Sequence, residues 1–122
     1  MHKPHFERKI NKQINLQIKM LELNKTNFEK EINENSFLIL DAWASWCAPC
    51  RAMSPIFEEL SKEMKNIKFA KLNVDENTEI ASKLGIMSIP TFIIFKDGSE
   101  VDRIIGANSK AVMKSKIETI IK

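Results

Sequence analysis

The stretch Phe37-Leu38-Ile39-Leu40-Asp41-Ala42-Trp43-Ala44-Ser45-Trp46-Cys47-Ala48-Pro49-Cys50-Arg51 decides how the remainder of this 122-residue chain is read. It runs from an apolar, strand-like segment into a helix-like one, and it holds both of the chain's cysteines at the junction. A disulfide between Cys47 and Cys50 would close a very small loop. On the chain-entropy model such a loop stabilises a fold by only about 2 kcal/mol, the low end for a structural cross-link. The pair is therefore read as one that opens and closes, which is redox chemistry.

Placement at a helix mouth supplies the physical reason. Unpaired backbone N–H groups and the positive end of the helix macrodipole stabilise an anion there, so the Cys47 thiolate is expected to form readily. Lowering a thiol pKa toward ambient pH favours attack on a disulfide, because the thiolate fraction rises faster than nucleophilicity falls. Cys50, one helical turn further in, is placed to displace whatever Cys47 captures.

Two further anomalies belong with the cysteines. Asp41 interrupts an otherwise apolar strand, where a carboxylate is destabilising unless pairing or function retains it. Burial would raise its pKa toward neutrality and suit it to accept the proton of Cys50. A structural alternative pairs Asp41 with Lys71 of a neighbouring strand, and the two roles are compatible. The second anomaly is Ile89-Pro90-Thr91, since a proline opening a strand removes one ladder donor and can adopt the cis bond. Composition alone favours trans.

Outward from this centre, the periodicity predicts alternating elements. Met20 to Leu23 reads as a strand, and Thr26-Asn27-Phe28-Glu29 as a capping box opening a helix through about Asn33. Phe37 to Trp43 is nearly continuous in apolar residues, as for a strand covered on both faces, and a helix follows from about Pro49 to Met64, with a kink expected at Pro55. Ile67 to Val74 alternates as a strand. Asn77 or Thr78 caps a helix ending near Leu84, with Gly85 beyond it. Thr91 to Phe95 and Glu100 to Ile105 flank Lys96-Asp97-Gly98-Ser99, an Asp-Gly hairpin signal, and a final helix runs from Asn108 or Ser109 to Ile121.

The order β-α-β-α-β-α-β-β-α calls for an α/β three-layer sandwich: a central mixed sheet of about five strands, parallel in its core with an antiparallel hairpin, flanked by about four helices. Active loops in such sheets lie at the carboxyl ends of the parallel strands, where Phe37 to Trp43 delivers Cys47.

Bulk properties agree. The length fits one domain that buries roughly two-thirds of its unfolded surface. With 43% hydrophobic and 29% charged residues, the chain has the composition of a soluble globular protein. Its longest apolar runs, Phe37 to Leu40 and Phe92 to Phe95, fall far short of the ~20 residues that span a bilayer, so no membrane span is expected. Charge is uneven. Residues 1–20 hold Lys3, Arg8, Lys9, Lys12 and Lys19 against Glu7, a net of +4, while the rest balances 14 Lys/Arg against 15 Asp/Glu. The overall +3 thus describes a basic N-terminal extension, residues 1–18, and not a nucleic-acid-binding body. Within that extension Ile10, Ile14 and Ile18 fit one short amphipathic helix, and the alternation of Ile14, Leu16, Ile18 and Met20 fits a strand equally well. The polar residues there do not form a secretory signal, and a cytoplasmic protein is the expectation.

Residues 19–122 resemble the thioredoxin family throughout. Asp41 to Cys50 is similar to that family's buried aspartate, paired tryptophans and CxPC site, Pro55 to the proline of the active-site helix, and Lys71 to the lysine beside the aspartate. Ile89-Pro90-Thr91 is similar to the cis-proline loop, and Gly98 and Gly106 to the glycines of the hairpin and after the last strand. The resemblance implies protein disulfide reduction by dithiol exchange, with Cys47 attacking, Cys50 resolving, Asp41 handling the proton and Lys71 tuning it. It also implies a cis Pro90 against the cysteines, which keeps metal off the thiols, and an Ile89 backbone that pairs with extended substrate. Trp46, Ala48, Pro49, Ile89, Pro90, Gly106 and Ala107 would form a shallow docking surface. No bound cofactor is implied beyond the Cys47-Cys50 disulfide itself, with NADPH and flavin acting only through a thioredoxin reductase, and a monomer acting on disulfide-containing proteins is expected.

Three positions depart from the family pattern: Ala48 replaces glycine, Ser88 stands where glycine is common, and Ala42 replaces a larger apolar residue. A shift of 30 mV corresponds to about 1.4 kcal/mol for a two-electron couple, so one dipeptide change moves the redox poise measurably. The alternative reading keeps the fold and makes the chain an oxidant, isomerase or specialised thiol reductase outside the cytoplasm. Two rivals from other classes are an intersubunit zinc site using Cys47 and Cys50, which Pro49 and Asp41 disfavour, and an assembly subunit with incidental cysteines. His2 and His5 are read as solvated.

Overall fold

The computed structural model describes residues 20–122, so the extension, its isoleucines and its histidines lie outside the described residues. The elements are β1 (Leu21–Glu22), α1 (Phe28–Glu34), β2 (Phe37–Trp43), α2 (Ala48–Glu63), β3 (Lys68–Asn73), α3 (Thr78–Lys83), β4 (Thr91–Lys96), β5 (Ser99–Ile105) and α4 (Lys110–Ile120). Their order is the one the periodicity predicts.

The five strands form one sheet in the order β1-β3-β2-β4-β5. The first three are parallel to one another, β4 runs antiparallel to β2, and β5 antiparallel to β4. Reversal at β4 brings its first residue to the carboxyl end of β2, where Ala42 pairs with Thr91. The proline that precedes Thr91 is thereby carried to the cysteine loop.

Alternation along β2 divides the core in two. Ile39 packs with Met53, Phe57 and Leu60 of α2 and Met113 and Ile117 of α4. Leu38, Leu40 and Ala42 pack on the other face with Ile32 of α1 and Ile80 of α3. Phe57 is 1% exposed, and its ring meets those of Phe69 and Phe92 at centroid distances of 4.9 and 5.8 Å. Since successive side chains point to opposite faces, Asp41 lies on the Ile39 side, beneath α2.

Local chemistry explains the boundaries. Asp97 (φ +48°) and Gly98 (φ +88°) both occupy the left-handed region, the backbone of a two-residue hairpin turn matched to strand twist. Ser109 caps α4 by accepting a hydrogen bond from the Val112 N–H at 3.2 Å. The Thr26-Glu29 capping box is a correction: α1 starts later, after Asn27. Asn24 Oδ1 instead accepts from the N–H groups of Thr26 and Asn27, at 2.8 and 3.1 Å, and this turn replaces the cap. Pro55 lies inside α2, which continues to Glu63.

Candidate active site

Cys47 is the N-cap of α2, with an extended backbone. Its Sγ accepts a hydrogen bond from the Cys50 N–H at 3.2 Å, satisfying one of the free donors of the first turn. The two cysteines form a disulfide, each 4% exposed. When the bond is reduced, the same donor and the helix end stabilise negative charge on Cys47, and Cys50 remains enclosed beneath it.

The other predicted residues gather around this pair. The Ile89–Pro90 peptide bond is cis, and the Ile89 carbonyl oxygen lies 3.9 Å from Cys47 Sγ. Gly106 joins the group by donating its N–H to the Pro90 carbonyl at 2.9 Å. Trp46 is 67% exposed, Ala48, Pro49 and Ala107 are exposed, and Ile89 and Gly106 are half-buried, while both sulfur-bearing residues are covered. Pro90 itself is buried.

Asp41 is 1% exposed, and its Oδ1 has no hydrogen-bond partner among the described residues. Burial pushes its carboxyl up to about 7, against the opposing pull of the Lys71 charge, with Glu22 adding a further push. Lys71 stands directly opposite Asp41 on the adjacent strand. Yet its ammonium bonds to Ser54 Oγ at 3.3 Å and sits 4.8 Å from the centre of the Trp43 ring. The pairing foreseen for Asp41 and Lys71 is thus one of register and field, without direct ion-pair contact.

Three contacts escape sequence reading. The Trp46 indole N–H donates to Asp75 Oδ2 at 2.8 Å, pinning the exposed ring beside Cys47. Arg51 donates to the Ser45 carbonyl at 2.9 Å and ties the cysteine loop to α2. Ser54 holds Lys71. Only for Asp75 is there a sequence signal: it follows β3 at the same sheet end as Cys47, where polar loop residues meet the site.

Among the described residues no group of three or more His, Cys, Asp or Glu is arranged to hold a metal ion, and no helix is long and apolar enough to cross a membrane. A dithiol at a helix mouth, a proline loop within reach of the outer sulfur and a buried acid near neutrality together suit proton-coupled thiol exchange.

A family model described as Thioredoxin matches residues 19–119. The chain belongs to the thioredoxin family. It is 41% identical over 100 residues to a thioredoxin from Alicyclobacillus acidocaldarius, covering 81% of this chain and 95% of that protein. A thioredoxin from Rickettsia bellii is 46% identical over 86 residues, 69% of this chain and 82% of its own length. The solved structure of Plasmodium falciparum thioredoxin superposes with a TM-score of 0.78 at 38% identity, covering 82% of this chain and 98% of that one. With its Cys47-Cys50 pair in place, the protein is a thioredoxin-type disulfide oxidoreductase. The thioredoxin family works without a bound cofactor, its partners being a thioredoxin reductase and disulfide-containing substrates.

Proposed function

We propose that the protein reduces disulfides of protein substrates. The Cys47 thiolate attacks one sulfur of the substrate disulfide, forming a mixed disulfide and releasing the first substrate thiolate, which takes a proton from solvent. Cys50 then gives its proton to the Asp41 carboxylate and attacks Cys47 Sγ. The Cys47–Cys50 bond forms, the second substrate thiolate leaves, and two electrons have passed from protein to substrate. An Asp41 carboxyl near 7 is matched to this task, because it is partly ionised at neutral pH and able both to accept and to return a proton.

In this reading Lys71 tunes Asp41 through its field, and Pro90 orients the substrate while the Ile89 backbone pairs with it. Trp46, Ala48, Pro49, Gly106 and Ala107 supply the docking rim. Electrons for the next cycle come from a flavin-containing, NADPH-dependent thioredoxin reductase, and the protein acts as a monomer in cytoplasmic electron transport. The observation that carries the proposal is the position of Cys47 Sγ, capping α2 and lying 3.9 Å from the Ile89 carbonyl.

The test is the equilibrium potential of the Cys47/Cys50 couple against a glutathione buffer, paired with a reductase-coupled assay. A strongly reducing couple that accepts electrons from the reductase is expected. An oxidising couple that no reductase reduces would replace this reading with an oxidant or isomerase.

A further inference from the structure

Beside the redox centre, and apart from its docking rim, a cleft of about 470 Å3 opens at the ends of β1 and β3, lined in part by Glu22, Trp43, Asn73, Glu76 and Asn77. Glu22 is exposed, and nothing in the exchange reaction above uses it. Its place in the sheet relates it to Asp41. Glu22 stands opposite Lys71 across β1 and β3, and Asp41 stands opposite the same Lys71 across β3 and β2. Leu21 and Leu23 pack into the core on the far side of the sheet, so Glu22 points to the face that carries Asp41.

The result is a row of three charged side chains across three adjacent strands, anion, cation, anion. Lys71 is held between the two carboxylates by Ser54 and the Trp43 ring and is in direct ion-pair contact with neither. We propose that Glu22 is a positioning residue for the thiol chemistry, sharing Lys71 with Asp41 from the solvent side and thereby governing the pH at which the buried acid changes protonation.

The charges around the pair fit this role. Although its side chain reaches solvent, desolvation by the neighbouring strands raises Glu22, while Lys71 lowers it and Glu76, from the loop after β3, raises it. Asp41 feels Lys71 and Glu22 as its charged neighbours. Across β4, the residue opposite Asp41 is the neutral Phe92, and Ser54, whose hydroxyl holds Lys71, is neutral as well. Removing the Glu22 charge removes a repulsion and leaves the Lys71 field to Asp41 alone. The buried carboxyl then ionises at lower pH.

The inference builds on the reading of Asp41 as proton acceptor, and a spectroscopic readout separates the two. The full-length protein, with Asp41 carboxyl 13C-labelled, is titrated by NMR as wild type, Glu22→Gln and Glu22→Asp, and the pH profile of disulfide exchange is measured for each. For Glu22→Gln the Asp41 midpoint is expected to fall by roughly half a pH unit, the size of one screened charge across two strand spacings. Glu22→Asp should restore it, and the exchange profile should shift with it in the wild-type background but not when Asp41→Asn is also present. An unmoved Asp41 midpoint in folded Glu22→Gln overturns the proposal, as does a profile shift that persists with Asp41→Asn. If the midpoint moves while Asp41→Asn leaves exchange unaffected, the sharing of Lys71 stands and the catalytic role of Asp41 falls.

Discussion

Asp41 and Lys71 face each other in register on adjacent parallel strands, but the Lys71 ammonium is bonded to Ser54 and poised over Trp43, leaving Asp41 Oδ1 without a hydrogen-bond partner among the described residues. Attraction across this gap is too weak to offset desolvation, and for that reason the acid sits near neutrality and not below its ordinary value.

Stability should therefore depend on pH in a defined direction. The folded carboxyl, raised to about 7 from 3.8, binds its proton more tightly than the unfolded one. The stabilisation is complete below about pH 4 and is lost as pH rises through 7, by roughly 4 kcal/mol in total. Denaturant unfolding of the oxidised protein at pH 5 and pH 8 checks this. Asp41→Asn should flatten the slope and be the more stable protein at pH 8.

The two cysteines should fail differently. Cys50→Ser is expected to accumulate a mixed disulfide with a substrate protein, visible on a non-reducing gel and cleared by dithiothreitol. Cys47→Ser should form none, because the remaining Cys50 lies inside the first turn of α2 and lacks the N-cap position that stabilises a thiolate at residue 47. Equal trapping by both variants would contradict the assignment of attacking and resolving sulfurs.

Trp46 is exposed and tethered to Asp75, an arrangement that presents an aromatic face at little entropic cost on binding. Trp46→Ala should raise KM for protein disulfides about tenfold, equivalent to about 1.4 kcal/mol of lost contact. Its kcat and its thermal midpoint should change little. A comparable loss toward a small-molecule disulfide would show that the ring does something other than dock protein.

Phe57 ties α2 to β3 and β4 through its ring contacts. Phe57→Ala should destabilise the fold by about 3 to 5 kcal/mol, and chemical denaturation measures it. Cysteine reactivity in the protein that remains folded should be largely retained, since Phe57 lies deeper along α2 than the cysteines.

Much of this was legible in the chain because the decisive signals are local. The apolar run before Asp41, the Asp97-Gly98 turn and the spacing of Cys47, Pro49 and Cys50 each state their structure within a few residues. The antiparallel pairing of β4 with β2 is less direct, since it depends on which strands become neighbours, and the hairpin signal at Asp97-Gly98 speaks only for β4 and β5. The start of α1 differs from the Thr26 capping box because the Asn24 side chain closes a turn over Thr26 and Asn27 by accepting their N–H groups, a contact that competes with capping at Thr26. Ser54 and Glu22 were not legible at all. Each acts through contacts or register between distant segments, and nothing in their immediate sequence marks them.

Reversal of β4 has a consequence for the birth of the protein. Cys47 and Cys50 leave the ribosome well before Ile89 and Pro90, so a nascent chain carries a dithiol that has no platform to receive a client. That platform arises only when β4 zips against β2 in the right frame, and a slip of one residue would turn the side chains of β4 toward the opposite layers. Docking of a substrate beside the cysteines thus waits on the pairing of two strands that lie far apart in the chain.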